Sequence, residues 1–205
     1  MKKITLVSLL FAVSAFYCNA QESLINVIRE RYNEIQAQIA DDYMKPLLLT
    51  FDINRPGIGM QTSTIKFYWN NMSSESYGED AQGNTAYLTA HELSMAVIEY
   101  NVAASAFYHI EYVYDKSGSL VFYFQRSLEG EVGEKRLYFN NGKLIKDLSR
   151  TYERTGENSN GKMTGETSSV TNFSDESKKI SETALNNASA YKKHFESLFK
   201  IESLH

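Results

Sequence analysis

The stretch EYVYDKSGSLVFYF, residues 111–124, places aromatic and aliphatic residues on both sides of a short polar break. The break has the composition of a three-residue hairpin loop that ends with Gly118 in the left-handed conformation. With Asp115 facing Ser119, a regular ladder opposes Tyr114 to Leu120, Tyr112 to Phe122 and Ile110 to Phe124. The apolar side chains of both strands then share one face, because side chains alternate along a strand. The segment predicts a β-hairpin whose rings are packing groups.

A second hairpin is predicted at RLYFNNGKLIK, residues 136–146, where Asn141-Gly142 suits a two-residue type I′ turn. This turn would oppose Phe139 to Leu144 and Arg136 to Asp147, whereas a three-residue loop that includes Asn140 would oppose Leu137 to Ile145. The sequence leaves both registers open.

Two further strands are predicted upstream, over residues 47–53 and 62–71. Between them, Arg55-Pro56-Gly57-Ile58 has proline second and glycine third, as a type II turn requires. In the second strand Ile65, Phe67 and Trp69 alternate with polar or amphipathic residues and should share a face.

Residues 87–101 are harder to assign, because their propensity fits a helix as well as a strand. The alternation of Leu93, Met95 and Val97 favours a strand over residues 93–101. Residues 73–85 and 154–169 are polar and rich in glycine, serine and threonine, which predicts an exposed loop and a mobile excursion.

An amphipathic helix is predicted near each end of the chain. Residues 22–44 carry apolar side chains at intervals of three and four, and Pro46 should end that helix by Met44 or Lys45. Its stripe is Ile25, Ile28, Tyr32, Ile35, Ile39 and Tyr43. Ser174 should cap the final helix, which fades near Ile201. Its stripe is Ile180, Ala184, Ala188, Tyr191, Phe195 and Leu198.

These elements predict one α+β domain over residues 21–205, in which an antiparallel β-meander sheet packs against an N-terminal and a C-terminal amphipathic helix. Both prolines precede residue 60, which suits a downstream meander that needs all its backbone donors.

Residues 1–20, MKKITLVSLLFAVSAFYCNA, have the form of a secretory signal peptide, with two lysines, an apolar run and small residues before the cleavage position. Cleavage after Ala20 would begin the mature chain at Gln21 and leave it without cysteine, since Cys18 is the one cysteine present. A lipid anchor at Cys18 is the less favoured alternative, because the bulky Tyr17 directly precedes it. We therefore expect export to the periplasm, the cell surface or the extracellular space.

Charge and motifs argue against several function classes. Removing residues 1–20 changes the formal net charge from −4 to −6, since Lys2 and Lys3 are lost and no acid is. A mildly acidic chain without a basic cluster is not expected to bind nucleic acid, and no apolar run after the signal is long enough to predict a transmembrane segment.

The phosphate-loop, nucleophile-elbow and zinc-helix motifs are missing from the sequence. In the zinc-helix motif, His91-Glu92 would need a second histidine at position 95, where Met95 stands. We expect no catalytic residue, metal or cofactor.

The first hairpin suggests a binding surface. His109 and Glu111 lie two apart on a strand and point the same way, and the regular ladder places Gln125 and Tyr123 opposite them. A solvated sheet face is the alternative interpretation, since exposed polar residues are common there. The tyrosines expected at the surface are Tyr68, Tyr77, Tyr87, Tyr123 and Tyr138.

The segments YNVAASAFYHIEYVYDKSGSLVFYF, residues 100–124, and RLYFNNGKLI, residues 136–145, resemble small uncharacterised exported proteins of the Bacteroidetes. The resemblance implies a periplasmic or surface location and supplies no activity. Our leading hypothesis is a non-catalytic exported domain that binds an envelope protein or a glycan through a sheet face and adjacent loops. The alternatives are a hydrolase of envelope or dietary polymers, with acids from residues 73–85 or 154–166, and a small inhibitor or chaperone-like accessory.

Overall fold

The computed structural model describes the backbone of residues 2–57, 59–71, 75–79, 85–88, 91–102, 106–129, 131–154 and 160–202. Its elements are α1 Lys2–Ala40, β1 Leu47–Arg55, β2 Gly59–Asn71, β3 Glu75–Glu79, β4 Thr85–Leu88, β5 His91–Val102, β6 Ala106–Tyr114, β7 Leu120–Glu129, β8 Glu131–Asn140, β9 Lys143–Arg154, β10 Asn160–Ser169 and α2 Asp175–Glu202. Among these residues, neither helix combines the length and the apolar character needed to cross a membrane.

Eight strands form one antiparallel sheet in the order β1-β2-β5-β6-β7-β8-β9-β10, and β3 pairs with β4 in a separate hairpin. The sheet is a meander in which each strand lies beside the next along the chain, apart from the β3-β4 insertion. The predicted single α+β domain with two packed helices is confirmed.

One helix covers each face of the sheet. On the α1 face, Ile25, Ile28 and Ile35 pack on Met95, Val113, Phe122 and other buried strand residues. On the α2 face, Ala184, Ala188 and Phe195 pack on Phe67, Tyr112, Leu137 and their neighbours. Because both faces are buried, apolar side chains occupy both alternating sets of the central strands.

The turn of the first hairpin is as predicted, but the register beyond it is wrong. Gly118 has φ 75°, Tyr114 opposes Leu120, and the Asp115 carboxylate accepts the Ser119 N–H at 2.9 Å. An extra residue, Val121, then shifts the pairing by one, so that Tyr112 opposes Tyr123. The same shift opposes Val113 to Phe122, Glu111 to Phe124, Ile110 to Gln125 and His109 to Arg126. Tyr112 and Phe122 consequently lie on opposite faces of the sheet, and the rings on the two strands supply both cores.

The second hairpin behaves in the same way. Asn141 and Gly142 have φ 48° and 71°, as a type I′ turn requires, and Phe139 opposes Leu144 as the two-residue loop predicts. The extra residue Ile145 then shifts the ladder, so the expected Arg136–Asp147 pair is wrong. Arg136 opposes Leu148, Leu137 opposes Asp147, and the Lys135 ammonium contacts the Asp147 carboxylate at 2.9 Å instead.

The uncertain segment is a strand, β5, as we preferred. A third irregularity lies in it, because Tyr68 opposes Met95 while Trp69 opposes Leu93, which leaves Ser94 as the extra residue. The expectation that Leu93 and Met95 lie on the same face of the sheet is therefore wrong. Leu93 belongs to the α2 core, and Met95 belongs to the α1 core.

Helix α1 extends through the predicted signal segment and ends earlier than expected, at Ala40. Asp42 adopts the left-handed conformation with φ 57°, and the Tyr43 and Met44 N–H groups both donate to the Gln38 carbonyl at 2.9 and 3.0 Å. This turn leaves Tyr43 exposed and buries Met44, so Tyr43 was the one wrong member of the predicted stripe.

Helix α2 matches its prediction closely. Ser174 caps it by accepting the Ser177 N–H at 3.1 Å, with Asp175 and Glu176 in the first turn. Every member of its predicted stripe belongs to or packs against the α2 core.

The two predicted loops contain strands. Residues 73–85 include β3 and the start of β4, and residues 154–169 include the whole of the edge strand β10. Residues 72–74, 80–84 and 155–159 lie outside the described part of the chain.

Candidate functional site: a groove beside helix α1

The four residues predicted to form one binding patch divide into two pairs on opposite faces of the sheet. His109 and Glu111 lie on the α1 face, in contact through Nε2 and Oε1 at 2.8 Å. Tyr123 is 4 % exposed within the α2 core, and its hydroxyl donates to Gln125 Oε1 at 2.6 Å. The extra residue Val121 causes this separation, because a shift of one residue moves a side chain to the other face.

The tyrosines expected at the surface are largely in the core. Tyr68, Tyr123 and Tyr138 are all buried. The side chains of Tyr77 and Tyr87 lie outside the described part of the chain. The tyrosine content of this sheet therefore serves packing in the described region.

His109 is held between two carboxylates. Its Nδ1 lies 3.1 Å from Glu99 Oε1, on the neighbouring strand β5, and its Nε2 lies 2.8 Å from Glu111 Oε1. Burial lowers the pKa of His109, but hydrogen bonds and charge from Glu111 and then Glu99 outweigh it and raise the pKa above the ordinary value. The imidazolium form suits this position, because it donates from both ring nitrogens.

The network continues to β2 through Lys66, whose Nζ lies 2.7 Å from Glu99 Oε2. Burial raises the pKa of Glu99, yet the hydrogen bonds and charges of Lys66 and His109 together hold it below the ordinary value. Glu99 thus stays ionised between two cations, and three adjacent strands are joined by charged hydrogen bonds.

Glu111 is the unusual member of this cluster. It is a buried carboxylate, 6 % exposed, and within the described residues its Oε2 atom has no hydrogen-bond partner. Burial raises the pKa of the Tyr32 hydroxyl on α1, and the charge of Glu111 and a hydrogen bond with it raise that pKa further. The Glu111 carboxylate therefore binds His109 through Oε1 and also interacts with the Tyr32 hydroxyl.

Glu111 lies in the wall of an open groove of about 350 Å³ on the part of the sheet that α1 does not cover. The groove is lined by Phe107, His109, Glu111, Phe124, Arg126 and Leu128. Through Phe124 it adjoins a second cavity of about 260 Å³ that is bounded by Tyr32 of α1 and by Arg136. Helix α1 thus bounds the second cavity, and Phe124 lines both cavities.

A row of charged residues crosses the same face of the sheet. Each residue of the row is the cross-strand partner of the one on the neighbouring strand. The row is Glu99, His109, Arg126, Glu134, Arg150 and Glu166, on β5 to β10 in turn. Arg150 Nε and Glu166 Oε2 are 2.6 Å apart at the outer end. With His109 protonated, the row holds three acids and three bases, so this surface favours neither strongly anionic nor strongly cationic ligands.

A second arginine adds to the groove from the next position along β8. The Arg136 guanidinium contacts Glu134 Oε2 at 2.9 Å and lies 5.5 Å from the centre of the Phe124 ring. The Phe124 ring, which lines both cavities, therefore lies within cation–π distance of Arg136.

The chemistry of this arrangement suits recognition. Both ring nitrogens of His109 already face carboxylates, so the imidazole has no nitrogen left to act as a base toward a ligand. Within the described side chains, no group of three histidine, cysteine, aspartate or glutamate residues is arranged to hold a metal ion. Glu111 Oε2 is buried, so it reaches a ligand only if the side chain turns toward the groove.

Sequence reasoning found His109 and Glu111 but missed Glu99, Arg126, Phe124 and Tyr32. Phe124 and Arg126 belong to the α1 face only in the shifted register of β6 and β7, which alternation along one strand does not reveal. A usable signal was present in β5, where the acid Glu99 follows Val97 on a face otherwise apolar.

Comparison with protein-family models, with curated proteins and with solved structures found no match to this chain. The resemblance to small exported Bacteroidetes proteins stays a prediction. The functional argument rests on the groove and its residues.

Proposed function

We propose that this chain is an exported, non-catalytic domain that binds a glycan through the groove beside α1. The observation that carries the proposal is the buried Glu111 carboxylate, whose Oε2 lacks a hydrogen-bond partner among the described residues and which lines the open groove. The ligand supplies the missing donor, and the two cavities along α1 receive it.

A buried acceptor without a partner is costly, which supports a binding role. Leaving a buried polar group unsatisfied costs about 1–3 kcal/mol, and more when the group is charged. Such groups are rare in folded proteins and call for a physical explanation. If the Glu111 side chain turns toward the groove, a ligand hydroxyl can donate to Oε2 and remove this cost on binding.

The mixture of charges favours a neutral ligand with hydroxyl groups. A cation that approached Glu111 would also meet Arg126, and an anion drawn to Arg126 would meet Glu111. A sugar residue instead offers neutral donors and acceptors to these groups. Its apolar face can pack against Phe107, which is 40 % exposed in the groove wall.

The size of the groove supports a single small unit as the ligand. Small-molecule pockets typically have about 300–1,000 Å³, and the groove beside Glu111 has about 350 Å³. The adjoining cavity beside Tyr32, of about 260 Å³, can take a second unit. The terminal sugar of a glycan chain would occupy the groove beside Glu111, and the next sugar would occupy the cavity beside Tyr32.

Export is part of the proposal and is supported by the signal-like pattern of residues 1–20. A hydrolase remains the alternative from the sequence, and its acids would come from residues 73–85 or 154–166, much of which the structure does not describe. The groove favours binding over hydrolysis, since its histidine is bonded at both nitrogens.

The test is titration calorimetry of the purified protein with defined neutral oligosaccharides built from glucose, galactose, mannose or N-acetylglucosamine. We expect at least one to bind, and Phe107→Ala and Glu111→Gln each to weaken it about tenfold or more, which is about 1.4 kcal/mol. Met163→Ala is the matched control, because Met163 is a similarly exposed apolar residue on the distant edge strand β10.

Failure of every neutral oligosaccharide to bind at concentrations up to about 10 mM would refute the glycan proposal. Binding that Phe107→Ala and Glu111→Gln leave unchanged would place the site elsewhere. Binding of an extended peptide at the groove, with the same sensitivity to both variants, would replace the glycan by a protein partner.

A further inference from the structure

Strand β1 forms one edge of the eight-stranded sheet and pairs with β2 on its inner side. Its nine residues pair with β2 in an unbroken register, without any irregularity. No strand in the described part of the chain pairs with the outer side. A long, regular edge of this kind presents a row of backbone N–H and C=O groups that can bond another strand.

The side chains of β1 make this edge unusual. Phe51 is 46 % exposed, and Leu48 and Ile53 are also exposed. Edge strands are commonly protected by lysine, proline, bulges or short length. The strand LLLTFDINR has no lysine, proline or bulge.

The opposite edge of the same sheet has the protection that β1 lacks. Strand β10, NGKMTGETSS, is polar, contains Lys162 and has register shifts on both sides of Met163. The two edge strands therefore differ: β10 has features that hinder pairing with another strand, and β1 does not. The sheet thus has one edge suited to solvent and one suited to a partner.

We propose that β1 pairs in antiparallel fashion with β1 of a second copy of this chain, around a two-fold axis at Phe51. This register uses all nine residues of both strands. It opposes Phe51 to Phe51, Leu49 to Ile53 and Thr50 to Asp52 of the other copy. The two sheets would continue into each other across the axis, as an isologous interface allows.

The strand is complementary to itself, which favours a second copy over an unrelated peptide. Leu49, Phe51 and Ile53 share the α2 face of the strand, so apolar side chains meet apolar side chains across the axis. The single acid, Asp52, meets the Thr50 hydroxyl and not another acid, and like charges directly opposite would be unfavourable.

This inference is independent of the proposed groove. The groove lies on β6 and β7, and β2 and β5 separate these strands from β1. Self-association can therefore fail while ligand binding holds, or the reverse.

The first test is sedimentation velocity of the purified protein from about 10 to about 500 µM. We expect a dimer, and we expect Phe51→Lys to be monomeric with an unchanged far-ultraviolet circular dichroism spectrum. The matched control is Met163→Lys on β10, where Met163 is 49 % exposed, and it should remain dimeric. A wild-type monomer across this range, or a dimer that survives Phe51→Lys, would overturn the proposal.

The second test examines the register in a Cys18→Ser background, which removes the one native cysteine. Directly opposed residues of an antiparallel pair have Cα atoms about 4.5–5.5 Å apart, within the range that disulfides span. Thr50→Cys mixed with Asp52→Cys should form a mixed disulfide in a glutathione buffer. Absence of that product, or equal cross-linking by Met163→Cys alone, would rule out the paired edge.

Discussion

Glu111→Gln should destabilise the protein by an amount that depends on pH. In the native protein Glu111 accepts from His109 Nε2 at 2.8 Å, while Glu99 accepts from Nδ1 at 3.1 Å. Glutamine keeps the size of the side chain and one acceptor oxygen but removes the negative charge. The variant therefore tests the ionic part of the contact while leaving the packing of the groove wall in place.

The magnitude follows from the burial of the pair. A hydrogen bond to a charged group contributes about 1.5–3 kcal/mol, and removal of one partner of a fully buried ion pair costs about 3–5 kcal/mol. The lower range applies here, because His109 keeps Glu99 and can release its proton. We expect Glu111→Gln to lower the free energy of unfolding by about 1.5–3 kcal/mol while His109 is protonated.

The direction of the pH dependence follows from the raised pKa of His109. A folded-state pKa above the unfolded value of about 6.5 gives stability that is fully present below that value. The contribution is lost as the pH rises through the folded-state pKa. Since Glu99 has a lowered pKa, it stays ionised in the mildly acidic range. The change in the cost of Glu111→Gln between the two pH values therefore reports on His109.

The assay is urea denaturation at about pH 5.5 and about pH 9, where the cost of Glu111→Gln should fall below about 1 kcal/mol at the higher pH. Glu99→Gln is the informative comparison, because Glu99 also contacts Lys66 Nζ at 2.7 Å, so part of its cost should be independent of His109. Glu182→Gln, at an exposed position of α2, should have little effect. An equal or larger cost of Glu111→Gln at the higher pH would refute the assignment of an ionic contact.

Two further predictions concern the framework. Asp147→Ala removes the charged partner of the largely buried Lys135 ammonium, 2.9 Å away, and leaves it the neutral Ser177 hydroxyl as acceptor. It should cost about 3–5 kcal/mol in urea denaturation, with much of the loss recovered in the double variant Lys135→Met/Asp147→Ala. A double variant no more stable than the single one would contradict this. Gly118→Ala should cost about 1–2 kcal/mol because of its φ of 75°. Its added methyl group also meets the flexible Lys192 side chain, whereas Gly142→Ala has open space, so a smaller loss for Gly118→Ala than for Gly142→Ala would be inconsistent with the structure.

The elements of this fold were predictable where short-range chemistry decides them. Gly118 and Asn141-Gly142 mark their turns because few other residues adopt positive φ at low cost. Ser174 marks the start of α2 because its hydroxyl accepts a backbone N–H of the first turn. These signals lie within a few residues of the feature that they predict, so one sequence is enough to read them.

The registers were not predictable, because each depends on a single extra residue. Ser94, Val121 and Ile145 each interrupt a ladder near the end of a strand. In a sheet with one exposed face, a wrong register would place polar residues at buried positions, so the sequence itself would show the error. Here both faces are covered by helices, so apolar residues occur in both alternating sets and a shift of one leaves the pattern acceptable.

The same limit explains which part of the site was found. His109 and Glu111 lie two apart on one strand, and their common direction does not depend on any pairing. Tyr123 and Gln125 were assigned to the same face through the hairpin register, and the bulge at Val121 moves them to the other face. Residues within one strand could be placed, and residues across strands could not.

The bulge at Val121 is also what builds the groove. By shifting β7 by one residue, it turns Phe124 and Arg126 to the face that carries His109 and Glu111. A regular ladder would have placed Tyr123 and Gln125 there instead, with a hydroxyl and an amide able to bond Glu111 directly. The shift instead places Phe124 opposite Glu111 and Arg126 opposite His109. Bulges often redirect side chains at binding sites, so the position of this bulge beside the groove agrees with the proposed binding role.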